Sequence, residues 1–498
     1  MCRFFLFLCT IDAMSRYLFP RLRDIIFFIV FIGALLIGAR MLNGDLGRHL
    51  AVGGIILDTH QIPTRDLLSF TMAGQSRPPY EWLAQVLFAI AYRLLNLDGV
   101  VLLTALIIAV TFVLIYTDSV QRTNAPLISL LLTIWAALTS SLHWLARPHI
   151  FSFLLFAIWV GLLERFRKGE KVALWAFPML MLIWVNTHGG FIFGLLAWLA
   201  YFAGWAWEYF RKQATREMGK QFLLIGGLSL VATVITPDLW HNWNAVLNNN
   251  SSYLLSHTVE TMPPDFHSPD LWPFAGLLAV VILLGIIRAR TINLSHVFLL
   301  AGLALMSFIF VRNIPFFALA SVPILSDWVK QLFAKFNYWL KLEETFSAID
   351  QGLRGFVWPL VILLGAIGLL VYHNAQTQTS IYHFDTQTLP VQASDWLMTN
   401  PQPGNMFNDF NWGGYLLFRF WPDQRVFVDS QSDFYGEEFI RQYEQIFNGE
   451  KDWNAKLSQY NVTRIIVPRE AGLVQAASQS ADWELAYEDN VAVIFVKK

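Results

Sequence analysis

Cysteine and charge are both scarce in this chain. Its 498 residues include only two cysteines, Cys2 and Cys9, and only 14% of the residues are charged. Without a cysteine beyond residue 9, the later parts of the chain cannot form disulfides with one another or a cysteine-based metal site. Because 55% of the residues are hydrophobic, most of the chain cannot be a soluble globule. The sequence therefore predicts a polytopic α-helical membrane protein.

Long apolar runs recur along the first three quarters of the chain, and the mean hydropathy is +0.46. Because a spanning helix needs about 20 mostly apolar residues, we predict about eleven spans. They lie at 25–42, 99–117, 126–143, 149–163, 172–187, 189–207, 221–236, 271–287, 294–311, 314–329 and 356–373. We expect the apolar segment 82–97 to lie along the outer membrane interface rather than to cross the membrane.

Lysine and arginine occur in clusters between the predicted spans. The clusters are Arg16/Arg21/Arg23, Arg122, Arg165/Arg167/Lys168/Lys171, Arg211/Lys212/Arg216/Lys220, Arg288/Arg290 and Lys330/Lys335/Lys341/Arg354. Short loops rich in these residues stay in the cytoplasm. We therefore predict a multi-pass protein of a bacterial inner or plasma membrane, with a cytoplasmic N-terminus and with the loop 43–98 and the C-terminal part outside. The basic lead-in after Met14 favours Met14 over Met1 as the first residue.

Hydrophobicity falls after residue 373, and turns become frequent. In chain order the runs are strand-like at 405–408, 425–429, 464–468 and 491–498, and helix-like at 412–420, 437–448, 453–460 and 471–478. Their alternation predicts a small α/β domain over 374–498, with a mostly parallel sheet covered by helices on both faces. Acidic residues outnumber basic ones in this part, which argues against a nucleic-acid partner.

The loop 43–98 gathers polar residues between two apolar blocks. Asp45, Arg48 and His49 lie near its start, and Asp66 and Glu81 follow. A transporter is expected to place ionisable groups near the middle of the membrane, whereas the predicted span interiors are nearly free of them. The pattern favours a reaction at the outer interface, on a substrate that is part lipid and part polar.

Five short motifs carry a resemblance to a known family. They are D-L-G-R-H-L at 45–50, P-T-R-D-L-L-S-F-T at 63–71, P-P-Y-E-W-L at 78–83, W-V-N-T-H-G-G at 184–190 and N-W-G-G-Y-L at 411–416. In their order and their placement at helix ends, the motifs resemble those of the C-class (GT-C) membrane glycosyltransferases. That group includes protein O-mannosyltransferases, aminoarabinose transferases and the catalytic subunit of oligosaccharyltransferase.

The resemblance implies a fold and a reaction class. The fold would be a GT-C-like transmembrane domain over 1–373, with 43–98 as an external catalytic loop, followed by an extracytoplasmic α/β domain over 374–498. The reaction would be an inverting transfer of a hexosyl or pentosyl group from a polyprenyl-phosphate-linked donor to a lipid, glycan or protein acceptor of the cell envelope. Two alternatives stay open: a non-catalytic scaffold that binds envelope glycans or a partner enzyme, and a transporter of lipid-linked glycans.

Such a transfer needs a base for the acceptor hydroxyl. The resemblance assigns this role to Asp45, and His49, four residues later on the same helix face, is placed to orient it. Asp66 and Glu81 would complete the site. Some family members hold a divalent cation with carboxylates of this loop, for which Mg²⁺ or Mn²⁺ would be suited, and others use no metal. The alternative is that each carboxylate caps a helix or lies in a solvated loop.

The departing phosphate needs a cation. Arg312, followed by Asn313, is predicted at the outer end of a span, and its planar fork of donors suits a phosphate. Arg48 and Arg147 are further candidates. The alternative is that these arginines anchor the protein at the lipid headgroups.

Two more outer turns would line the same cavity if the helices converge as they do in the family. One carries Arg147 and His149, and the other carries Asn186 and His188. The alternative is that these side chains are structural polar groups of the interface.

The C-terminal part offers a candidate surface for the acceptor or the sugar. It would consist of the W-G-G-Y segment at 412–415 together with Asp429, Asp433 and Tyr435. Alternatively, the two glycines permit a tight strand-to-helix turn and Asp429 is a cap at the end of a strand.

Overall fold

The computed structural model describes residues 15–241, 243, 253, 261–355 and 357–498. Helices dominate the part before residue 378. In chain order they are Ser15–Leu18, Leu22–Leu36, Gly38–Met41, Gly44–Thr59, Trp82–Thr123, Pro126–Ser140, His149–Arg167, Ala176–Thr187, Phe191–Phe210, Arg216–Ala232, Trp272–Ile287, Leu294–Ile309, Ile314–Phe333, Asn337–Gly352 and Val357–Thr377. Both cysteines and Met14 lie outside the described residues, so the start at Met14 stays a prediction.

Within these ranges, six helical stretches are long and apolar enough to cross a membrane. They are Trp82–Thr123, Pro126–His143, His149–Arg167, Phe191–Phe210, Pro269–Ile287 and Val357–Thr377. Ala176–Thr187 and Leu294–Ile309 are shorter apolar helices. Every predicted span falls on a helix, but the total of about eleven stays a prediction, because several of these helices fall short of the roughly 20 residues a span needs.

The outer surfaces of these helices are apolar. Val357–Thr377 buries only Leu370, while Leu369 is 70% exposed. Ile286 and Leu36 are 70% and 82% exposed. Such surfaces suit contact with lipid, in which helices are stable because their backbone groups are satisfied internally. The structure therefore supports a multi-pass membrane protein.

The long helix Trp82–Thr123 consists of two helices joined by a break. Leu95 (φ −143°) and Asn96 (φ 52°) depart from helical geometry, and asparagine is one of the residues that tolerate a positive φ. The expected separation of 82–97 from the following span is confirmed. Its position along the membrane interface stays a prediction.

The C-terminal part contains a four-stranded sheet. Its strands are β1 (Asn405–Asn408), β2 (Val462–Pro468), β3 (Trp483–Glu488) and β4 (Ala492–Lys497), in the spatial order β1-β2-β4-β3. Only β1 and β2 pair in parallel, while β4 is antiparallel to both β2 and β3. The prediction of a mostly parallel sheet is therefore wrong. The prediction failed because strand β3, which forms an antiparallel hairpin with β4, was not recognised in the sequence.

Five helices accompany this sheet. They are Val391–Thr399, Gly413–Phe420, Ser432–Phe447, Trp453–Gln459 and Gly472–Ser478. The last four overlap the four predicted helix-like runs, and the first was not predicted.

The strand-like run 425–429 lies outside the sheet and contacts the loop 43–98 instead. The backbone N–H of Val426 donates to the carbonyl of Leu68 (3.1 Å), and its carbonyl accepts from the N–H of Phe70 (3.1 Å). On its other side, Oδ1 of Asn408 accepts from the next backbone N–H of the run (2.8 Å). The run therefore joins the C-terminal domain to the loop 43–98.

Helix Gly44–Thr59 approaches two neighbours so closely that no side chain fits between the backbones. A Cβ on Gly47 would collide with the carbonyl oxygen of Gly414, and a Cβ on Gly53 would collide with that of Gln85. Glycine is needed at both crossings because it has no Cβ. The helix with Asp45, Arg48 and His49 is thereby fixed against the C-terminal domain on one side and the 82–94 helix on the other.

Helix Asn337–Gly352 packs a polar face against the ends of other helices, on the side of the protein away from Asp45. The carboxylate of Glu343, which is 4% exposed, accepts from the backbone N–H groups of Leu127 (2.9 Å) and Ile128 (2.9 Å). Asp350 accepts in the same way from the first N–H of helix Leu22–Leu36 (2.7 Å). Both carboxylates cap the N-termini of other helices, where N–H groups lack partners and the helix dipole favours negative charge.

Candidate active site

The start of helix Gly44–Thr59 contacts the turn before helix His149–Arg167. Arg147 forms an ion pair with Asp45 through Nη2. The Asn43 amide is oriented with its oxygen toward the same guanidinium. This oxygen accepts from Nε (2.6 Å) and Nη2 (2.7 Å) of Arg147. Two residues predicted for the site, Asp45 and Arg147, are therefore in direct contact.

A second carboxyl group lies close to the same helix. Glu81 Oε2 is 3.9 Å from Arg48 Nη2 and 3.8 Å from His49 Nδ1. Burial raises the pKa of Glu81 to about 7; the charge of Arg48 opposes this rise, while those of Asp433 and Asp45 add to it. Glu81 can therefore exchange a proton near neutral pH.

His49 does not lie as the sequence predicts. It was expected to orient Asp45, but its Nδ1 is 3.3 Å from Gln85 Nε2 and faces the 82–94 helix. Because an amide nitrogen can only donate, Nδ1 is the acceptor and the proton sits on Nε2. Burial, and then the charges of Arg48 and Arg147, hold the pKa of His49 well below its ordinary value. His49 is therefore a neutral group that accepts from Gln85.

The two other predicted histidines are neighbours of each other. The rings of His149 and His188 are 6.3 Å apart. His149 Nε2 donates to the carbonyl of His143 (2.7 Å), and His188 Nδ1 accepts from the N–H of Gly190 (2.9 Å). Burial, followed by the nearby His149 and Arg312, lowers the pKa of His188 well below its ordinary value. His188 is thus neutral, and it can donate a hydrogen bond through Nε2.

Asn186 links the turn of His188 to the start of the 82–94 helix. Its Oδ1 accepts from Trp82 Nε1 (2.7 Å), and its Nδ2 donates to the carbonyls of Leu182 (2.9 Å) and Ile235 (3.0 Å). Asn186 therefore holds helices together beside the site.

The predicted pair Arg312 and Asn313 lies in a short 3₁₀ helix, Val311–Asn313. Arg312 is exposed, its guanidinium lies 5.4 Å from the ring centre of Phe310, and its charge acts on His188. Asn313 is buried and donates to the carbonyl of Met306 (2.9 Å). The asparagine secures the turn, and a ligand-binding role for the arginine stays a prediction.

Asp66 is held by groups of its own loop. It is 1% exposed and accepts from Ser69 Oγ (2.6 Å) and from Arg77 Nη1 (2.7 Å). The same guanidinium donates through Nη2 to Asp429 of the C-terminal domain (2.7 Å). Although burial opposes it, these carboxylates raise the pKa of Arg77. Asp66 therefore takes part in a buried ion cluster that joins the loop to the domain.

Gln431 connects this ion cluster to the site. Its Oε1 accepts from Arg77 Nη2 (2.8 Å) and from Arg48 Nη1 (3.2 Å). Its Nε2 donates to the hydroxyl of Tyr80, which in turn donates to Asp433. A small cavity of about 40 Å³, partly open to solvent, lies here, and its lining includes Gln431, Arg48, Tyr80 and Glu81.

The candidate surface of the C-terminal part is divided by the structure. Asp429 and Asp433 face the first loop, through Arg77 and Tyr80. The hydroxyl of Tyr435 accepts from the backbone N–H of Asp429 (3.1 Å). Trp412 is 4% exposed and donates through Nε1 to the carbonyl of Thr388 (2.9 Å). The W-G-G-Y segment thus serves packing.

Sequence reasoning missed Arg77, Tyr80, Gln85 and Gln431. Arg77 and Tyr80 flank the two prolines of a motif that was recognised, so their position was a usable signal. No pattern marks Gln431, which lies between two acidic residues in an ordinary polar stretch.

The residues of the site do not fit the divalent cation that some family members use. Among the described residues, no group of three or more His, Cys, Asp or Glu side chains is arranged to hold a metal ion. Asp45 is paired with Arg147 and Asp66 with Arg77. Mg²⁺ and related ions need several oxygen ligands, and these two carboxylates already serve arginines.

Comparison with solved structures finds similar folds. The apo form of the Archaeoglobus fulgidus oligosaccharyltransferase aligns over 89% of this chain and 69% of its own, with a TM-score of 0.60 and 12% identity. The same protein, AglB, in complex with an inhibitory peptide and a dolichol-phosphate, gives the same coverage and identity and a TM-score of 0.61. ArnT from Cupriavidus metallidurans bound to undecaprenyl phosphate covers 94% of this chain and 97% of its own, but at a TM-score of 0.40 and 13% identity. No family model and no curated protein matches the chain.

Fold and site together define a polytopic membrane protein whose polar cluster lies where helices end. Its fold is GT-C-like, as the likeness to the archaeal oligosaccharyltransferase shows. The prediction of this fold from the sequence motifs is thereby confirmed.

The buried ion cluster generates a prediction about stability. Arg77→Met keeps much of the side-chain volume but leaves Asp66 and Asp429 buried without their cation, which should cost about 3–5 kcal/mol. We expect a lower thermal unfolding temperature in detergent and faster proteolysis between the loop and the C-terminal domain. Arg65→Met, at an exposed arginine of the same loop, is the matched control. Equal effects of the two substitutions would contradict the role of the cluster.

Proposed function

We propose that this protein is a membrane glycosyltransferase that moves a sugar from a polyprenyl-phosphate-linked donor to an acceptor of the cell envelope. The observation that carries the proposal is the convergence of Asp45, Glu81, Arg147 and His188 from four separate segments. The fold likeness adds support, because AglB was solved with a dolichol-phosphate and an inhibitory peptide. The sugar is a hexosyl or pentosyl group in this proposal, and its transfer is inverting.

The site lies at the outer face in the proposal, and the basic clusters lie at the inner face. In support, basic segments far apart in sequence contact one another's elements at the end away from Asp45: Arg354 Nη1 donates to the hydroxyl of Tyr17 (2.8 Å), and Lys330 donates to the carbonyl of Thr123. This agrees with short basic loops staying in the cytoplasm.

The orientation predicts a labelling pattern. A cysteine introduced by Glu438→Cys, at an exposed position of the C-terminal domain, should react with a membrane-impermeant thiol reagent added outside intact cells. One introduced by Lys168→Cys, also exposed, should react only after the cells are opened. The native Cys2 and Cys9 are first replaced by serine. The reverse pattern would place the site in the cytoplasm.

Two carboxyl groups divide the task of activating the acceptor hydroxyl. Asp45, ion-paired with Arg147, accepts the hydrogen bond of the hydroxyl and orients it. Glu81, whose pKa is about 7, takes the proton, because a base works best when its pKa lies near the working pH. Two carboxyl groups in different environments commonly divide roles in this way.

Arginines meet the phosphate of the donor, since the histidines of the site are held neutral. The charges of Arg147 and Arg312 both act on His149, and that of Arg312 also acts on His188, which contributes a hydrogen bond rather than a charge. Arg48 supports the same region through Glu81 and Gln431. A guanidinium suits a phosphate because it donates two parallel, charge-assisted hydrogen bonds.

The central test is transfer by Asp45→Asn. The purified protein should release undecaprenyl phosphate from at least one member of a panel of undecaprenyl-phosphate-linked hexoses and pentoses, when membrane extract supplies the acceptor. The asparagine variant should lose about 10²-fold in rate, because the neutral amide no longer pairs with Arg147 and orients the hydroxyl less well, while unfolding at a similar temperature. Asp58→Asn, at an exposed position on the same helix, is the matched control. A wild-type protein that binds envelope glycans but releases no carrier would instead support the non-catalytic scaffold.

The raised pKa of Glu81 predicts a pH dependence. Because the base must be ionised, the rate should rise with pH up to about 7 and then level off, falling about tenfold for each pH unit below. Glu81→Gln should be slow and should lose this acidic limb. A variant that keeps the limb would show that another group takes the proton.

The proposed role of Arg312 predicts that its substitution weakens the binding of a lipid with a phosphate but not that of a lipid without one. Arg312→Ala should weaken binding of undecaprenyl phosphate at least about tenfold, because a charge-assisted hydrogen bond contributes roughly 1.5–3 kcal/mol. Arg312→Lys keeps the charge but loses the fork, so it should weaken binding less. Binding of undecaprenol, which lacks the phosphate, should hardly change in either variant. Equal weakening for both lipids would make Arg312 an interfacial anchor.

A further inference from the structure

Arg147 occupies an unusual place for a basic residue, because it lies directly against the carboxylate that the proposed function needs most. Its guanidinium is held from two sides, by the Asp45 carboxylate and by the side-chain oxygen of Asn43. Its own side chain is 20% exposed and that of Asp45 is 15% exposed. The ion pair is therefore a built and largely enclosed part of the site.

A guanidinium in this position competes with a metal ion for the same ligands. A divalent cation at Asp45 would need several oxygen donors around it, yet Asp45 and the Asn43 oxygen both point at Arg147. Arginine remains charged at any working pH, so a second cation at this carboxylate would face repulsion in a poorly solvated site.

The other carboxyl groups of the region cannot replace these ligands. Asp66 is held by Arg77 and by Ser69. Glu81 lies against Arg48 and has a pKa of about 7, so about half of it carries no charge at neutral pH. Each carboxyl group of the loop that was predicted for the site thus lies against an arginine, and the neighbouring Asp433 accepts from Tyr80.

We propose that Arg147 takes the place of a divalent cation at Asp45, so that this site works without a metal ion and Arg147 is the residue that excludes one. This inference rests on the proposed function, because it concerns the site proposed for sugar transfer. The exclusion of metal by Arg147 can nevertheless be measured without any turnover.

The decisive measurement is Mn²⁺ binding to metal-stripped protein, followed by the loss of the electron paramagnetic resonance signal of free Mn²⁺. The wild-type protein should have no Mn²⁺ site that depends on Asp45, so Asp45→Asn should leave its Mn²⁺ binding unchanged. Arg147→Asp replaces the guanidinium with a carboxylate opposite Asp45, in the same turn as His149. This variant should bind one Mn²⁺ ion. Adding Asp45→Asn to Arg147→Asp should weaken that site by at least about tenfold, the lower end of what even outer-shell partners contribute.

A matched control exists on the same helix. Arg93 forms an ion pair with Asp58, which lies on the same helix as Asp45, but both side chains are exposed, at 47% and 67%. Arg93→Asp therefore makes the same chemical change beside an aspartate that has no enclosed site. It should not create Mn²⁺ binding of comparable strength. If it does, two adjacent carboxylates suffice and the geometry around Arg147 has no special role.

Chelation tests the same inference in the unmodified protein. Treatment with EDTA should leave binding of undecaprenyl phosphate unchanged, and it should leave any transfer unchanged as well. Loss of binding after EDTA that Mn²⁺ or Mg²⁺ restores, or an Asp45-dependent Mn²⁺ site in the wild-type protein, would overturn the proposal. If no panel donor is consumed but the Mn²⁺ pattern holds, the proposed function fails while the exclusion of metal by Arg147 stands.

Discussion

The close approach of helix Gly44–Thr59 to its neighbours is the constraint on which the rest of the site depends. Its backbone meets Gly414 on one side and Gln85 on the other. Distances between backbones in contact leave little freedom, since any added atom would collide. Asp45, Arg48 and His49 are therefore placed by the main chain, and the partners on other segments, such as Arg147 and Glu81, are matched to that placement.

Charge is distributed within this framework by a simple rule. Ions in a poorly solvated place need a partner, and the fold supplies one arginine for each of Asp45, Asp66 and Glu81. The pairings differ in strength. Asp66 shares a hydrogen-bonded guanidinium with Asp429, whereas Glu81 has only a distant one, and burial dominates its pKa. Pairing with arginine thus gives a structural carboxylate at Asp66 and a titratable one at Glu81.

The sequence predicted the fold class and the region of the site because both follow from local patterns. Asp45, Arg147 and His188 each lie at the end of an apolar run, and runs that alternate across a membrane bring every second end to the same face. The partners of Arg77 could not be predicted in this way, because Asp429 and Gln431 lie 352 and 354 residues further along the chain. One predicted strand of the sheet was wrong for a related reason. The 425–429 run has the composition of a strand, but its hydrogen bonds go to the loop, and only the tertiary arrangement decides between the two pairings.

The distance in sequence between Arg77 and Asp429 also has a consequence for how the protein is made. A ribosome completes the loop 43–98 long before it reaches the segment that pairs with it, and domains generally form in the order of synthesis. Until the last part of the chain emerges, Arg77 lacks Asp429 and Gln431 as partners, and the wall of the cavity that contains Gln431 does not exist. A chain that stops early can therefore insert its helices and still lack a complete site, because the site exists only once the C-terminal domain has been made.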